Sequence, residues 1–343
     1  MEPVGVIAVV GAGDTERGGY ATALAHRTNR ALIPASRLSG SPDPAQEAAV
    51  LASWTDVPEG VVVDMPDEVP AGEIIGTFVD VEQGSTLLGI VCVVDAARVR
   101  DELRRVDDVP LRDRDSGIAA LRESRARLTA WQIEFASTIA LVNWSTLAAS
   151  ELSLIASLLS HLSPRARLRL HGGIVERLVS DDAYAVEQDR PGWMCLLNES
   201  FDPPLTDPRV SALRYEQVRP LHPGRLAHLL DARIEPGEFG TVVRSAGFCR
   251  LASRGGIVAQ WEHVGSVISL NPVAVDARLD DADEMLSLGQ DLAFVGIDLD
   301  RDGLVAALDE AALTDAELAE GPEAWARFAD PFPTWATASD RQD

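Results

Sequence analysis

Residues 4–20 read VGVIAVVGAGDTERGGY. The run Val4–Val10 is dominated by β-branched residues with no polar alternation, the pattern of a strand buried on both faces. A glycine cluster follows at once, and a helix is expected from about Glu16 to Thr28. A strand, a glycine-rich turn and a helix in that order open a parallel α/β sheet. The chain downstream repeats the pattern. Ala31–Ile33 and Val61–Val63 read as short strands, Leu87–Val94 (LLGIVCVV) as the clearest strand, ended by Asp95, and Thr138–Val142 (TIALV) as another. Helices are expected over Ile118–Phe135, where Ile118, Leu121, Leu128, Trp131 and Phe135 fall at roughly helical spacing, and over Leu147–Leu162. Arg167–Leu170 reads as an edge strand. Strands separated by helices pair in parallel through right-handed crossovers, so residues 1–172 are expected to form a three-layer α/β domain.

Residues 173–209 read as a proline-rich linker, with PGW at 191–193 and FDPPLTDP at 201–208, because proline at that density stops regular structure. A second, smaller domain is expected over 210–343. Ser211–Val218, Thr241–Ala252, one or two strands in Ile257–Leu270, and Asp291–Ile297 alternate with helices at His222–Ala232 and Asp302–Ala311. Turns such as Arg254-Gly255-Gly256 suit an antiparallel α+β sheet. The acidic run Asp280–Glu284 reads as a solvated loop.

The length of 343 residues predicts about two domains. With 46% hydrophobic and 24% charged residues the chain has the balance of a soluble globular protein. The formal net charge of −24 disfavours direct contact with nucleic acid or an anionic membrane surface. All 30 basic residues are arginine, which removes Schiff-base chemistry and the phosphate-gripping lysine of an ordinary phosphate loop. The three cysteines, Cys92, Cys195 and Cys249, are far apart, so neither a disulfide framework nor a cysteine-only zinc site is indicated. MEPVGVIAVVGAG lacks a secretory signal, and no apolar run reaches about 18 residues. A cytoplasmic location is expected.

The most specific strings lie in the second domain: RYEQVRPLHPGRL (214–226), VVRSAGFCRLASR (242–254), QWEHVG (260–265), FVGIDLDRDGL (294–304) and DPFP (330–333). Together they resemble the C-terminal domain of the CobW-type GTPase family, and WQIEFASTIALVN (131–143) is similar to that family's approach to its guanine-recognition motif. The resemblance implies a P-loop NTPase-like first domain that binds GTP with magnesium, followed by a CobW C-terminal domain. It also implies a link to zinc or cobalt delivery. One actinobacterial branch of the family is associated with recruiting a ribosome hibernation factor during zinc limitation.

Against that family's three ligand motifs the residues depart. The phosphate loop G-x-x-x-x-G-K-S/T has its nearest frame at Gly13-Asp14-Thr15-Glu16-Arg17-Gly18, with Gly19 in place of lysine and Tyr20 in place of the magnesium hydroxyl. Asp14 and Glu16 would stand beside the phosphates, and the Arg17 fork does not reproduce an ammonium point charge. The guanine motif N-K-x-D becomes Asn143-Trp144-Ser145-Thr146, which lacks the base-reading carboxylate. No cysteine occurs in 14–60 where a C-x-C-C metal segment is expected. Asp64 stands where a magnesium-associated acid would. The pocket candidates, read as vestigial, are therefore Gly11, Gly13, Gly18, Gly19, Asp64 and Asn143, either open or filled by Tyr20 and Trp144.

The remaining candidates lie in the second domain. His222, Cys249 and His263 would suit zinc if their strands adjoin, although His222 between two prolines also suits a cap on the following helix. Arg219, Arg225, Arg244, Arg250 and Arg254 either pair with acids such as Glu216, Glu235 and Glu238 or form a partner-docking face. For the docking face the expected anchors are Arg219, His222, Arg225, Arg244, Phe248 and Trp261. The favoured expectation is a non-hydrolysing protein-binding scaffold in zinc homeostasis or ribosome hibernation. The alternative is an active GTP-dependent zinc or cobalt metallochaperone, in which Arg17 and backbone amides replace the lysine.

Overall fold

The computed structural model describes residues 3–11, 13–79, 84–111, 121–172, 184, 191–275 and 289–335. The chain divides into two units. The first comprises residues 1–192 and 202–207, and the second 193–201 and 208–343.

In the first unit the strands are β1 (Val4–Val10), β2 (Ala31–Ile33), β3 (Val61–Asp64), β4 (Ser85–Asp95), β7 (Thr138–Val142) and β8 (Arg167–Leu170), with a hairpin of β5 (Asp108–Leu111) and β6 (Leu121–Ser124). The helices are α1 (Asp14–Thr28), α2 (Ala35–Leu38), α3 (Pro44–Ser53), α4 (Ala71–Val79), α5 (Val99–Glu102), α6 (Arg125–Glu134) and α7 (Ala149–Leu162). The main sheet has the order β2-β3-β1-β4-β7-β8, and every neighbouring pair is parallel. Burial on both faces explains the unbroken apolar runs: Val6 to Val10 and Val61 to Val63 are at most 1% exposed. From β1 the chain builds β2 and β3 on one side and then crosses to β4 on the other. The carboxyl ends of β1 and β4 therefore flank the topological switch point, where ligands bind in open α/β sheets.

The expected helix over Ile118–Phe135 is corrected at its front. Residues 121–124 pair with β5, and the helix starts at Arg125, where the Ser124 hydroxyl accepts from the Arg127 amide. Of the residues at that spacing, Leu128 is buried in α6, Trp131 is half-buried on it and Phe135 is its C-cap, while residues 118–120 lie outside the described residues. The linker reading is also corrected. It contains α8 (Gly192–Leu197), while 202–207 run with the first unit, where the Asp207 amide donates to Ser157 Oγ. Residues 173–183 and 185–190 of the linker, and the acidic run 280–284, lie outside the described residues.

The second unit is an antiparallel sheet of β9 (Val210–Gln217), β10 (Thr241–Cys249), β11 (Ile257–Val264), β12 (Val267–Val275) and β13 (Gln290–Ile297), in the order β12-β11-β10-β13-β9. The helices of this unit are α9 (Pro223–Leu229), continued by a π turn at Leu230–Ile234, α10 (Arg301–Ala311), α11 (Asp315–Glu320) and α12 (Pro322–Trp325). Its core joins Leu226, Leu229, Leu304 and Leu308 of the helices to Trp261 and Phe294 of the sheet, whose rings meet edge to face at 6.4 Å. Gly247 has φ +144 and its α-carbon faces the Asp291 carbonyl, so closely that a β-carbon would sit 2.1 Å from that oxygen.

Candidate functional site

The turn after β1 is short because α1 begins at Asp14. Gly18 and Gly19 therefore lie inside a helix and not in a loop that wraps a ligand. Gly11 has φ +140, and a β-carbon there would lie 2.3 Å from the Val93 carbonyl oxygen, so the turn packs directly on β4. Arg17, one turn into α1, folds back under the turn and is 2% exposed. Its Nε donates to Asp64 Oδ1 at 2.7 Å, its Nη1 to the Gly11 carbonyl at 2.8 Å, and its Nη2 to Asp14 Oδ1 at 2.8 Å. Asp64, at the end of β3, also accepts from the Ala35 amide through Oδ2 at 3.4 Å. Both of its oxygens are thus committed within the fold.

Tyr20 is 3% exposed in the core, its ring edge-on to His171 at 5.3 Å, and its hydroxyl has no partner among the described residues. Burial raises its pKa, outweighing the nearby Arg27 charge. Asn143 sits at φ 55 and donates from Nδ2 to Asp95 Oδ2 at 2.8 Å. Trp144 donates its indole N–H to the His171 carbonyl, and the Thr146 hydroxyl donates to the Asn143 carbonyl. Of the six pocket candidates, Gly11 and Gly13 line a cavity of about 280 Å³ at the ends of β1 and β4; Gly18, Gly19, Asp64 and Asn143 do not. Neither Tyr20 nor Trp144 lines it.

In the second unit the three zinc candidates are not brought together. His222 caps α9, its Nδ1 accepting from the Arg225 amide at 3.3 Å, and its ring stacks on Phe328 at 4.5 Å. His263 faces Ser245 across the β10–β11 ladder, whereas Cys249 faces Ala259, four residues further along β11. At about 3.3 Å per residue that is roughly 13 Å, too far for a shared ion. Burial, with Arg244 adding to it, pushes the His263 pKa down to about 4, and burial pushes the Cys249 thiol up to about 12. No group of three or more His, Cys, Asp or Glu side chains among the described residues is placed to hold a metal ion.

The docking anchors are corrected in part by burial. Trp261 is 0% exposed and donates to Ser245 Oγ, and Arg244 is 1% exposed and paired with Glu262 at 2.8 Å, so neither reaches the surface. Phe248 packs edge-on against Trp193. Arg219, Arg225, Arg244 and Arg254 are ion-paired with acids other than Glu216, Glu235 and Glu238. Arg219 meets Asp315, Arg225 forks onto Glu317, and Arg254 forks onto Asp330. These acids lie far along the chain, where no local spacing signals them. Sequence reasoning also missed Thr129 and Gln132, which face the cavity from α6. Their only signal was their place on a helix leading to a buried strand.

The geometry defines a parallel α/β unit followed by an antiparallel unit covered by helices. Residues 210–312 match the family model of the cobalamin synthesis protein cobW C-terminal domain. The chain is 25% identical over 286 residues to "Zinc-regulated GTPase metalloprotein activator 1" of Dictyostelium discoideum, across 76% of this chain and 59% of that protein's length. Among solved structures, the Zn(II)-bound YjiA GTPase from E. coli superposes with a TM-score of 0.35 at 15% identity, covering 91% of this chain and 100% of that one. No helix among the described residues is long and apolar enough to cross a membrane.

Proposed function

We propose that the chain is a cytoplasmic CobW-type scaffold. In this reading the first unit keeps a G-domain-like architecture without hydrolysing GTP, and the second docks a protein partner in zinc homeostasis or the ribosome-hibernation response. The observation that carries this is Arg17. Where a phosphate loop presents an ammonium and amides to a triphosphate, this chain places a guanidinium already satisfied by Asp64, Gly11 and Asp14. The residues do not fit magnesium triphosphate. The helix starts too early for a wrapping loop, the hydroxyl position is a buried tyrosine, and both Asp64 oxygens accept hydrogen bonds from the chain. Isothermal titration of the full chain with GTP and magnesium is expected to give no saturable heat; micromolar binding with turnover rejects the scaffold. Absence of the chain from ribosome fractions of zinc-starved cells would reject the hibernation setting.

A second reading is supported by the likeness to the Dictyostelium metalloprotein activator. It keeps an active GTP-dependent zinc or cobalt chaperone, in which Arg17 leaves Asp64 to meet the phosphates. It requires that Arg17→Ala abolish nucleotide binding and that the unmodified chain load zinc into an acceptor only when GTP is supplied.

A further inference from the structure

The cavity between the carboxyl ends of β1 and β4 encloses about 280 Å³, just under the usual range for drug-sized ligands. Two of its lining residues, Thr129 and Gln132 on successive turns of α6, are 8% and 2% exposed. Gln132 donates from Nε2 to the Asp67 carbonyl at 3.3 Å. The Thr129 hydroxyl has no hydrogen-bond partner among the described residues. Thr129 lines the cavity, where its hydroxyl can both donate to and accept from a ligand. The opening residues of α1, which has no side-chain cap, form part of the same lining, and Val93, Val94 and Val99 give it apolar flanks.

Charge narrows the class of ligand. Asp14, Glu16, Asp95 and Glu102 line the cavity against Arg98 and Arg105. Both arginines are already paired, Arg98 with Asp95 at 3.6 Å and Arg105 with Asp107 at 2.7 Å and Glu102 at 3.3 Å. A phosphate or carboxylate entering here meets an excess of negative charge and no uncommitted cation. Arg17, Asp64 and Asn143 are not in the lining, whereas Gly11 and Asp14, which the Arg17 guanidinium contacts, are, so the inference rests on the scaffold reading's empty phosphate position.

We propose that this cavity binds an uncharged or cationic organic molecule smaller than a nucleotide, presenting an amide or heterocyclic donor–acceptor edge to Thr129 and Gln132. The test is titration of the full chain, by ligand-observed NMR and thermal shift, with probe pairs that differ in charge on one skeleton: nicotinamide against nicotinate, and guanosine against its monophosphate. The neutral member of at least one pair is expected to bind, with its anionic counterpart weaker by about tenfold or more. Thr129→Val should weaken the neutral probe by about tenfold, and Thr129→Ser should retain it. Should Thr129→Val fail to fold, Val99→Phe, which fills the cavity from α5, must block binding in its place. Equal or tighter binding of the anions, no saturation by either neutral probe at millimolar concentration, or unchanged affinity in a folded Thr129→Val overturns the proposal.

Discussion

Arg17 and Asp64 keep 3% and 9% of their side chains exposed, and each satisfies the other. Removing one member of such a pair strands the other charge where water cannot reach it, which costs about 3–5 kcal/mol. Arg17→Ala is therefore expected to lower the unfolding free energy by about that amount in urea titration. The double change Arg17→Met with Asp64→Leu should recover much of the loss, because no charge is then left buried. A single Arg17→Ala within about 0.5 kcal/mol of the parent, the usual scale of a surface change, contradicts the assignment. Arg17 was readable in the sequence as the nearest cation to the glycine turn. Its partner was not, because the contact joins positions 47 apart through the β1–β3 pairing, and that register is set by the sheet. Trp261 and Arg244 erred for a related reason: residue type alone does not tell which face of a strand meets the core.

The segment from Leu313 to Trp335 holds to the rest of the second unit through side chains of which the sequence resemblance marked only Asp330. Glu317 takes the Arg225 fork and closes a capping box with Thr314. Asp330 binds Ser253 and Arg254, and Trp335 lies under the Arg254 guanidinium at 4.2 Å. Burial raises the Asp330 pKa, but the bonds from Arg254 and Ser253 outweigh it and hold it low. For Glu317 the Arg225 bond dominates, bringing its pKa from the ordinary 4.5 to about 2. A depressed carboxylate contributes stability above its ordinary pKa and loses it as the pH falls through the depressed one. The unfolding free energy should therefore decline as the pH falls from 4.5 to about 2. Glu317→Gln should flatten that slope and cost on the order of 1 kcal/mol at neutral pH, in keeping with its partial exposure; an unchanged slope counts against the clasp. At the α9 terminus, His222→Ala should cost about 1 kcal/mol through the lost cap and leave zinc affinity unmoved. Most strands were legible because burial on both faces writes itself as a β-branched run. The β5–β6 hairpin and α8 were not, since Arg122 to Ser124 mimic a helix start and α8 is six residues set among prolines.

At the scale of the molecule, a formal charge of −24 and an all-arginine basic set shape what can approach. Several of those arginines, among them Arg17, Arg214, Arg225, Arg244 and Arg254, are bound to acids within their own unit. Mobility-shift assays with duplex DNA and structured RNA at low salt should show no complex, the condition that most favours non-specific binding. The two-domain plan was legible from composition and the second unit's strings. How the phosphate position is filled was not, because an absent lysine says what is lost and not what replaces it. The most direct test is a crystal structure of the full chain grown with excess GTP and magnesium. The account predicts Arg17 still bonded to Asp64 and no nucleotide over Gly11 and Gly13; an ordered triphosphate there, with Arg17 swung away from Asp64, would contradict it.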